Sequence, residues 1–343
     1  MVLTDPIPLE TLRRLPKVEL HVHLDTSVRP STVGDLGRRQ GIAIPDDLDS
    51  ALIAPPICNN LADYLTRVDL ALQVLQTAEA LERVAYELVE DMAAERMVYA
   101  EIRYAPQLCI RGGLSMQQVI DAVASGLRAA REDYGVRTGQ IICCLRHDPS
   151  HLSHEVAQYA IANWAPGKVI GLDLAADEAR YGGFPHQTAF RLARGVGMPR
   201  TVHAGEAAGA ESVREAIELL EAQRIGHGVN LQQDPSLFAP VRVRHITLEM
   251  CPTSNVQTRA VRSLADHPID RYLRSGLPVT VNTDGRTTSN TNLTREFASL
   301  AQQFGWGLDR FLQTTLDAAA SAFVSPEERD DLRQTILERW PAA

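Results

Sequence analysis

Two hydrophobic patterns alternate along the chain. Short, nearly continuous apolar runs rich in β-branched residues fall at 18–23, 98–104, 140–145, 169–174, 199–203, 224–227, 246–250 and 278–283. Runs of this length and composition read as strands. Between them, apolar positions recur every three or four residues at 78–95, 115–133, 155–162, 186–195, 210–222 and 264–275. That period reads as amphipathic helix. Strands separated by helices imply parallel pairing, and continuously apolar strands imply burial on both faces. Eight such units predict an α/β protein with a (β/α)8 (TIM) barrel as one domain over residues 1–343. No G-x-G-x-x-G follows the first run, which speaks against an open dinucleotide-binding sheet.

The first strand is followed by a long excursion, residues 25–77. Within it, Leu61, Leu65, Val68, Leu72 and Leu75 lie three or four apart and predict a helix over 60–75. The insertion leaves the C-terminal end of the strand. It either packs against the barrel or overhangs its mouth as a helical lid.

Composition narrows the field. Hydrophobic residues make up 45% and charged residues 22% of the 343, the balance of a globular protein. A net charge of -9 opposes nucleic acid or an anionic membrane as partner. The first seventeen residues carry no apolar core of a signal peptide, and no uncharged apolar run is long enough to span a bilayer. A cytoplasmic protein is expected. The five cysteines form no C-x-x-C pair, so buried free thiols are expected rather than disulfides or a thiolate metal site. The oligomeric state is not encoded in any of these features.

The chemistry-bearing residues sit at strand ends. His21 and His23 flank Val22 in the first strand, so a period of two turns both imidazoles to one face. In a barrel, the inward face at the C-terminal end of a strand is the floor of the active site. His203 ends the fifth strand, with Glu206 three residues later; His227 stands between Gly226 and Gly228 at the end of the sixth; Asp284 follows the eighth. Each alone also fits an ordinary strand end. Together, His21, His23, His203 and Asp284 offer three nitrogens and an oxygen for Zn²⁺, with room for water. Such a cluster over an apolar barrel is costly without a metal. Zinc there would activate water at neutral pH. Glu206 can then act as general acid and proton shuttle, His227 can hold the attacking oxygen, and Asp284 can orient it.

The chain resembles the adenosine deaminase family of the amidohydrolase superfamily. The matching segments are LPKVELHVHLD (15–25), EIRYAPQL (101–108), GLDLAADE (171–178), TVHAGE (201–206), RIGHGV (224–229), MCPTSNVQT (250–258) and VNTDG (281–285). They cover roughly residues 10–325 in family order. The resemblance implies one zinc on His21, His23, His203 and Asp284, with Glu206, His227 and Asp284 catalytic. It also implies a purine nucleoside substrate, with Asp25 facing the ribose 5′ side and the Ala176 N–H meeting a purine ring nitrogen. No lysine ends the fourth strand, which opposes a binuclear site. The H-x-E/P-C-x-x-C design of other zinc deaminases is absent.

Three positions depart from the family pattern. Gly285 replaces the second aspartate of Thr-Asp-Asp-Pro, Thr26 replaces a glycine after His-Leu-Asp, and Ala176 replaces a glycine before Asp-Glu. The lost carboxylate would have contacted the purine five-membered ring, and Arg286, Thr287 and Thr288 are the nearby candidates to replace it. Hydrolytic deamination of adenosine is the expected reaction. A 5′-modified adenosine such as aminodeoxyfutalosine is an alternative, in which Arg286 would meet a substrate carboxylate. A phosphoesterase or lactonase on the same barrel, with one zinc, is the other; Glu206 paired with His227 argues against it.

Overall fold

All eight runs are strands in the computed structural model, which describes residues 7–341. They are β1 (Lys17–His23), β2 (Met97–Tyr104), β3 (Arg137–Leu145), β4 (Val169–Ala175), β5 (Thr201–Ala204), β6 (Arg224–His227), β7 (Thr247–Met250) and β8 (Val279–Val281). Every pairing is parallel, in two runs, β1 to β4 and β5 to β8. Parallel bridges join the runs at both seams, Leu172 to Arg200 between β4 and β5, and Val22 to Asp284 between β1 and the end of β8. At the second seam the Asn282 side chain stands in for backbone. Its Oδ1 accepts from the N–H groups of Leu20 (2.9 Å) and His21 (3.1 Å). One hydrophobic core extends from Leu12 to Phe311. The ends of the expected domain, 1–6 and 342–343, lie outside the described residues.

The helices begin and end where local chemistry dictates. Helix Ala78–Ala93 starts on the Thr77 hydroxyl, and Met116–Tyr134 on a Ser115/Gln118 capping box. The expected helix 264–275 is broken. Residues Leu264–Asp266 form a 3₁₀ turn, His267 is extended, and the α-helix covers only Ile269–Arg274. Pro268 is the cause, because proline disfavours helix at the residue before it. Helix 155–162 starts earlier, at Ser150, just after Pro149. Helix 210–222 ends at Glu218.

The insertion after β1 is helical, as expected, but differently divided. Pro30–Gln40 and Leu48–Leu52 precede the expected segment. Residues 60–75 form two α-helices, Leu61–Leu65 and Asp69–Val74, joined by a 3₁₀ turn. The Thr66 hydroxyl donates to the Asp63 carbonyl (2.7 Å), a local bond that competes with regular helix. Leu72 and Leu75 enter the main core, while Leu61 and Tyr64 pack with Ala54 and Cys58. Leu61, Tyr64, Leu65 and Val68 roof a cavity floored by the β-strand ends. The segment therefore both packs and overhangs the mouth. Among the described residues, no helix is long and apolar enough to cross a membrane. The five cysteines are free and buried.

Candidate active site

The strand-end residues converge. His21, His203, His227 and Asp284 each bring one ligand atom within 4.8 Å of the others. His23 joins them, its Nε2 lying 3.1 Å from His203 Nε2 and 3.4 Å from Asp284 Oδ1. His21 Nε2 is 3.4 Å from the same carboxylate oxygen. Two residues at the site hold left-handed backbone, Asp284 (φ 63°) and His227 (φ 64°). Such strain in non-glycine residues persists only where surrounding structure imposes it, and clusters at functional sites. At β8 the imposing contacts are the bond from Asp284 N–H to His21 O (3.0 Å) and that from His23 N–H to Asp284 O (2.7 Å).

Beneath the imidazoles lies a layer of fully buried charge. His21 Nδ1 meets Glu249 Oε2 at 3.0 Å, and His203 Nδ1 meets Asp173 at 3.1 Å. Arg103 binds both acids, Asp173 at 3.0 Å and Glu249 at 2.8 Å. A carboxylate accepts only, so each Nδ1 carries the proton and each Nε2 keeps its lone pair. His21 Nε2 is buried without a hydrogen-bond partner. Two lone pairs and a carboxylate facing one point are what a cation satisfies, and the carboxylate–histidine pairing is that of a metal's supporting residues. The donor set of nitrogen and oxygen fits zinc.

Glu206 is held beside this cluster. Its Oε1 accepts from the Thr258 hydroxyl (3.0 Å), and its Oε2 lies 3.4 Å from His227 Nε2. Burial, with the charges of Asp284 and Glu178, lifts its carboxyl well above the ordinary range, against the Thr258 bond. The loop carrying it is fastened by Glu178, whose carboxylate accepts from the backbone N–H groups of Gly205, Glu206, Ala207 and Ala208. Ser254 Oγ donates to Asp284 Oδ2 at 2.6 Å. Sequence reasoning assigned no role to Arg103, Asp173, Glu178, Glu249, Ser254, Asn255 or Thr258. A signal was there for three of them: Arg103, Asp173 and Glu249 are charges inside apolar strand runs, which only an inward partner network explains.

The cavity has a volume of about 270 Å³ and is lined by Asp25, Ala176, Glu206 and His227, among others. Asp25 Oδ1 is buried without a hydrogen-bond partner, and burial lifts its carboxyl to about 6. Ala176 has φ 78°, a conformation glycine adopts freely and alanine does not. Gly285 adjoins Thr26 and Tyr64. Arg286 does not face the cavity. It is buried in ion pairs with Glu19 (3.3 Å) and Glu95. The Thr287 hydroxyl is engaged by the Val28 carbonyl (2.9 Å). Neither residue replaces the lost carboxylate.

A barrel with this mouth is the architecture of amidohydrolase-type enzymes. The structure superposes on an adenine deaminase from Arthrobacter aurescens with a TM-score of 0.88, 27% identity and coverage of 94% of this chain and 98% of the other. It superposes on an amidohydrolase from B. ambifaria with bound zinc at 0.90, 25% identity and coverage of 99% and 95%. The chain belongs to the adenosine deaminase family, whose model matches residues 16–339. It is 39% identical to an adenosine deaminase of Enterococcus faecalis over 332 residues, 96% of this chain and 98% of that one. It is 40% identical to an adenosine deaminase of Shewanella halifaxensis over 331 residues, 95% and 98% respectively.

Proposed function

We propose that the chain hydrolyses a 6-aminopurine nucleoside, with adenosine to inosine and ammonia as its reaction, using one zinc on His21, His23, His203 and Asp284. The observation that carries this reading is Glu206, a buried carboxyl that lines the cavity beside the histidine cluster, its Oε2 3.4 Å from His227 Nε2 and its Oε1 3.0 Å from the Thr258 hydroxyl, where burial favours the protonated form. A protonated carboxyl there can donate to ring nitrogen N1 as water adds to C6. Zinc, when bound, polarises the water that attacks. The oxygen that adds to C6 sheds both its protons to Glu206: the first restores the carboxyl and is passed to the C6 amine, and the second returns to it as the C–N bond breaks, releasing ammonia and leaving a C6 carbonyl with N1 protonated. His227 donates from Nε2 to the oxygen developing at C6.

The orphaned Asp25 Oδ1 calls for a donor from the substrate, and the ribose 5′-hydroxyl supplies one. The Ala176 backbone N–H supplies a donor to a purine ring nitrogen. Free adenine would leave Asp25 without a partner, which favours a nucleoside. The zinc-bound relative supports the metal.

One observation favours the second reading, a 5′-modified adenosine carrying an anion such as aminodeoxyfutalosine. Arg111 and His147 line the same cavity as Asp25. Ammonia release from adenosine, deoxyadenosine, adenine, methylthioadenosine and aminodeoxyfutalosine tests both. Adenosine is expected to be the best substrate. Preference for the anionic analogue would move the assignment to the second reading, and release from none of the nucleosides would overturn both.

A further inference from the structure

His227 stands among the metal-binding residues yet is assigned a donor's role, and a chain of hydrogen bonds behind it explains why. We propose that Asn255 and His267 are positioning residues that hold His227 as the tautomer with its proton on Nε2, aimed at Glu206 and the reacting centre. The inference deepens the proposed reaction and rests on it for the use made of that proton.

The Ile269 backbone N–H donates to His267 Nδ1 (3.3 Å). That nitrogen therefore offers a lone pair. Burial pulls His267 down to about 3, so the ring is neutral and its single proton sits on Nε2. His267 Nε2 then donates to Asn255 Oδ1 (3.1 Å), which also accepts from the Cys251 N–H (3.4 Å). Turned over, the amide would set its NH₂ against two donors. Its orientation is thus fixed by the network, which is how an amide is properly assigned.

Asn255 Nδ2 in turn donates to His227 Nδ1 (3.0 Å). That nitrogen too must present a lone pair, so the proton of His227 lies on Nε2, 3.4 Å from Glu206 Oε2. With one nitrogen accepting and the other protonated, His227 has no lone pair to give a metal. The same logic separates it from His21 and His203, whose Nδ1 atoms face carboxylates. Proximity alone would have made His227 a ligand and left out His23. Asn255 and His267 are buried and do not line the cavity, so they act through His227 and not on substrate.

The test uses the zinc-loaded full chain labelled with ¹⁵N-histidine. Long-range ¹H–¹⁵N spectra should show His227 protonated at Nε2, with the signal assigned by its loss in His227→Ala. A proton on Nδ1 in the wild type would overturn the proposal. This readout needs no substrate, so it stands or falls apart from the deaminase reading. Asn255→Asp presents only acceptors and should draw the proton to Nδ1. Turnover should then fall by about 10²–10⁴-fold, the scale of losing a general acid or base or of a wrong tautomer, with KM within about twofold and zinc retained. Wild-type turnover in Asn255→Asp would refute the role. A second pair decides the matter even where that variant does not fold. His267→Gln keeps a donor for Asn255 and should hold both the Nε2 signal and turnover. His267→Leu removes the donor and should lose both; equal behaviour of the two would remove His267 from the chain.

Discussion

Thr26 occupies the space that a side chain at position 285 would need. A Cβ on Gly285 would lie 2.6 Å from Thr26 Oγ1 and 2.7 Å from its Cβ, with the Tyr64 hydroxyl at 3.1 Å. Thr26 cannot readily withdraw, because its carbonyl accepts from the N–H groups of Thr287 and Thr288 (3.1 and 3.0 Å). Positions 26 and 285 are therefore sterically coupled. Gly285→Asp alone should destabilise by about 1–3 kcal/mol through overpacking. Adding Thr26→Gly should recover most of that loss in chemical denaturation, a coupling expected of residues in contact. Additive losses would show the two positions to be independent. Only the double variant should shift the preference between adenosine and 7-deazaadenosine.

Glu206→Gln should keep the fold and the zinc while turnover drops by about 10²–10⁴-fold, since an amide cannot exchange the proton. Steady-state ammonia release and metal content, measured on the same preparation, check both halves.

The proposed donor set has room for a single cation. Elemental analysis of purified protein should give close to one zinc equivalent, and a chelator should abolish activity until zinc is restored. Two equivalents at full occupancy would contradict the mononuclear site.

Glu178→Ala strips an acceptor from four backbone N–H groups in the loop that carries Glu206. Leaving buried donors unsatisfied costs roughly 1–3 kcal/mol for each group that water does not reach. The variant should lose at least about 2 kcal/mol of stability on that scale, with turnover falling more than KM rises. Denaturant midpoints and kinetics read these separately.

Glu296 sets a pH signature unrelated to catalysis. Burial lifts its carboxyl to about 7, against bonds from Thr253 and Thr291. The unfolded chain ionises it near 4.5, so between about 4.5 and 7 the native state binds the extra proton and stability falls as pH rises. The loss is complete above pH 7 and amounts to roughly 3 kcal/mol, at about 1.4 kcal/mol per pH unit of difference. Glu296→Gln should flatten this part of the stability profile. An unchanged slope would place the titration elsewhere.

The sequence carried the barrel because its signal is local. A β-branched run such as 140–145 needs no distant partner to be read as a buried strand. The same locality misled at 264–275, where apolar spacing outweighed Pro268, and at 60–75, where the Thr66 hydroxyl interrupts the helix. Ligand candidates were legible because His21 and His23 alternate on one strand. Their supports were not, because Glu249 lies 228 residues from His21 and Asp173 lies 30 from His203. The burial of Arg286 was illegible for a related reason. The arginine stands two residues after the cavity-lining Asp284, but its partners Glu19 and Glu95 reach it only through the fold.

The Asn282 amide that joins β8 to β1 spans 262 residues of sequence. The proposed metal ligands straddle that same junction, His21 and His23 on one side and Asp284 on the other. During synthesis, a chain that has emerged only as far as β7 holds its first two imidazoles but lacks their carboxylate partner. On the proposed assignment the four ligands stand together only once the last strand docks against the first, so closing the barrel and assembling the donor set coincide.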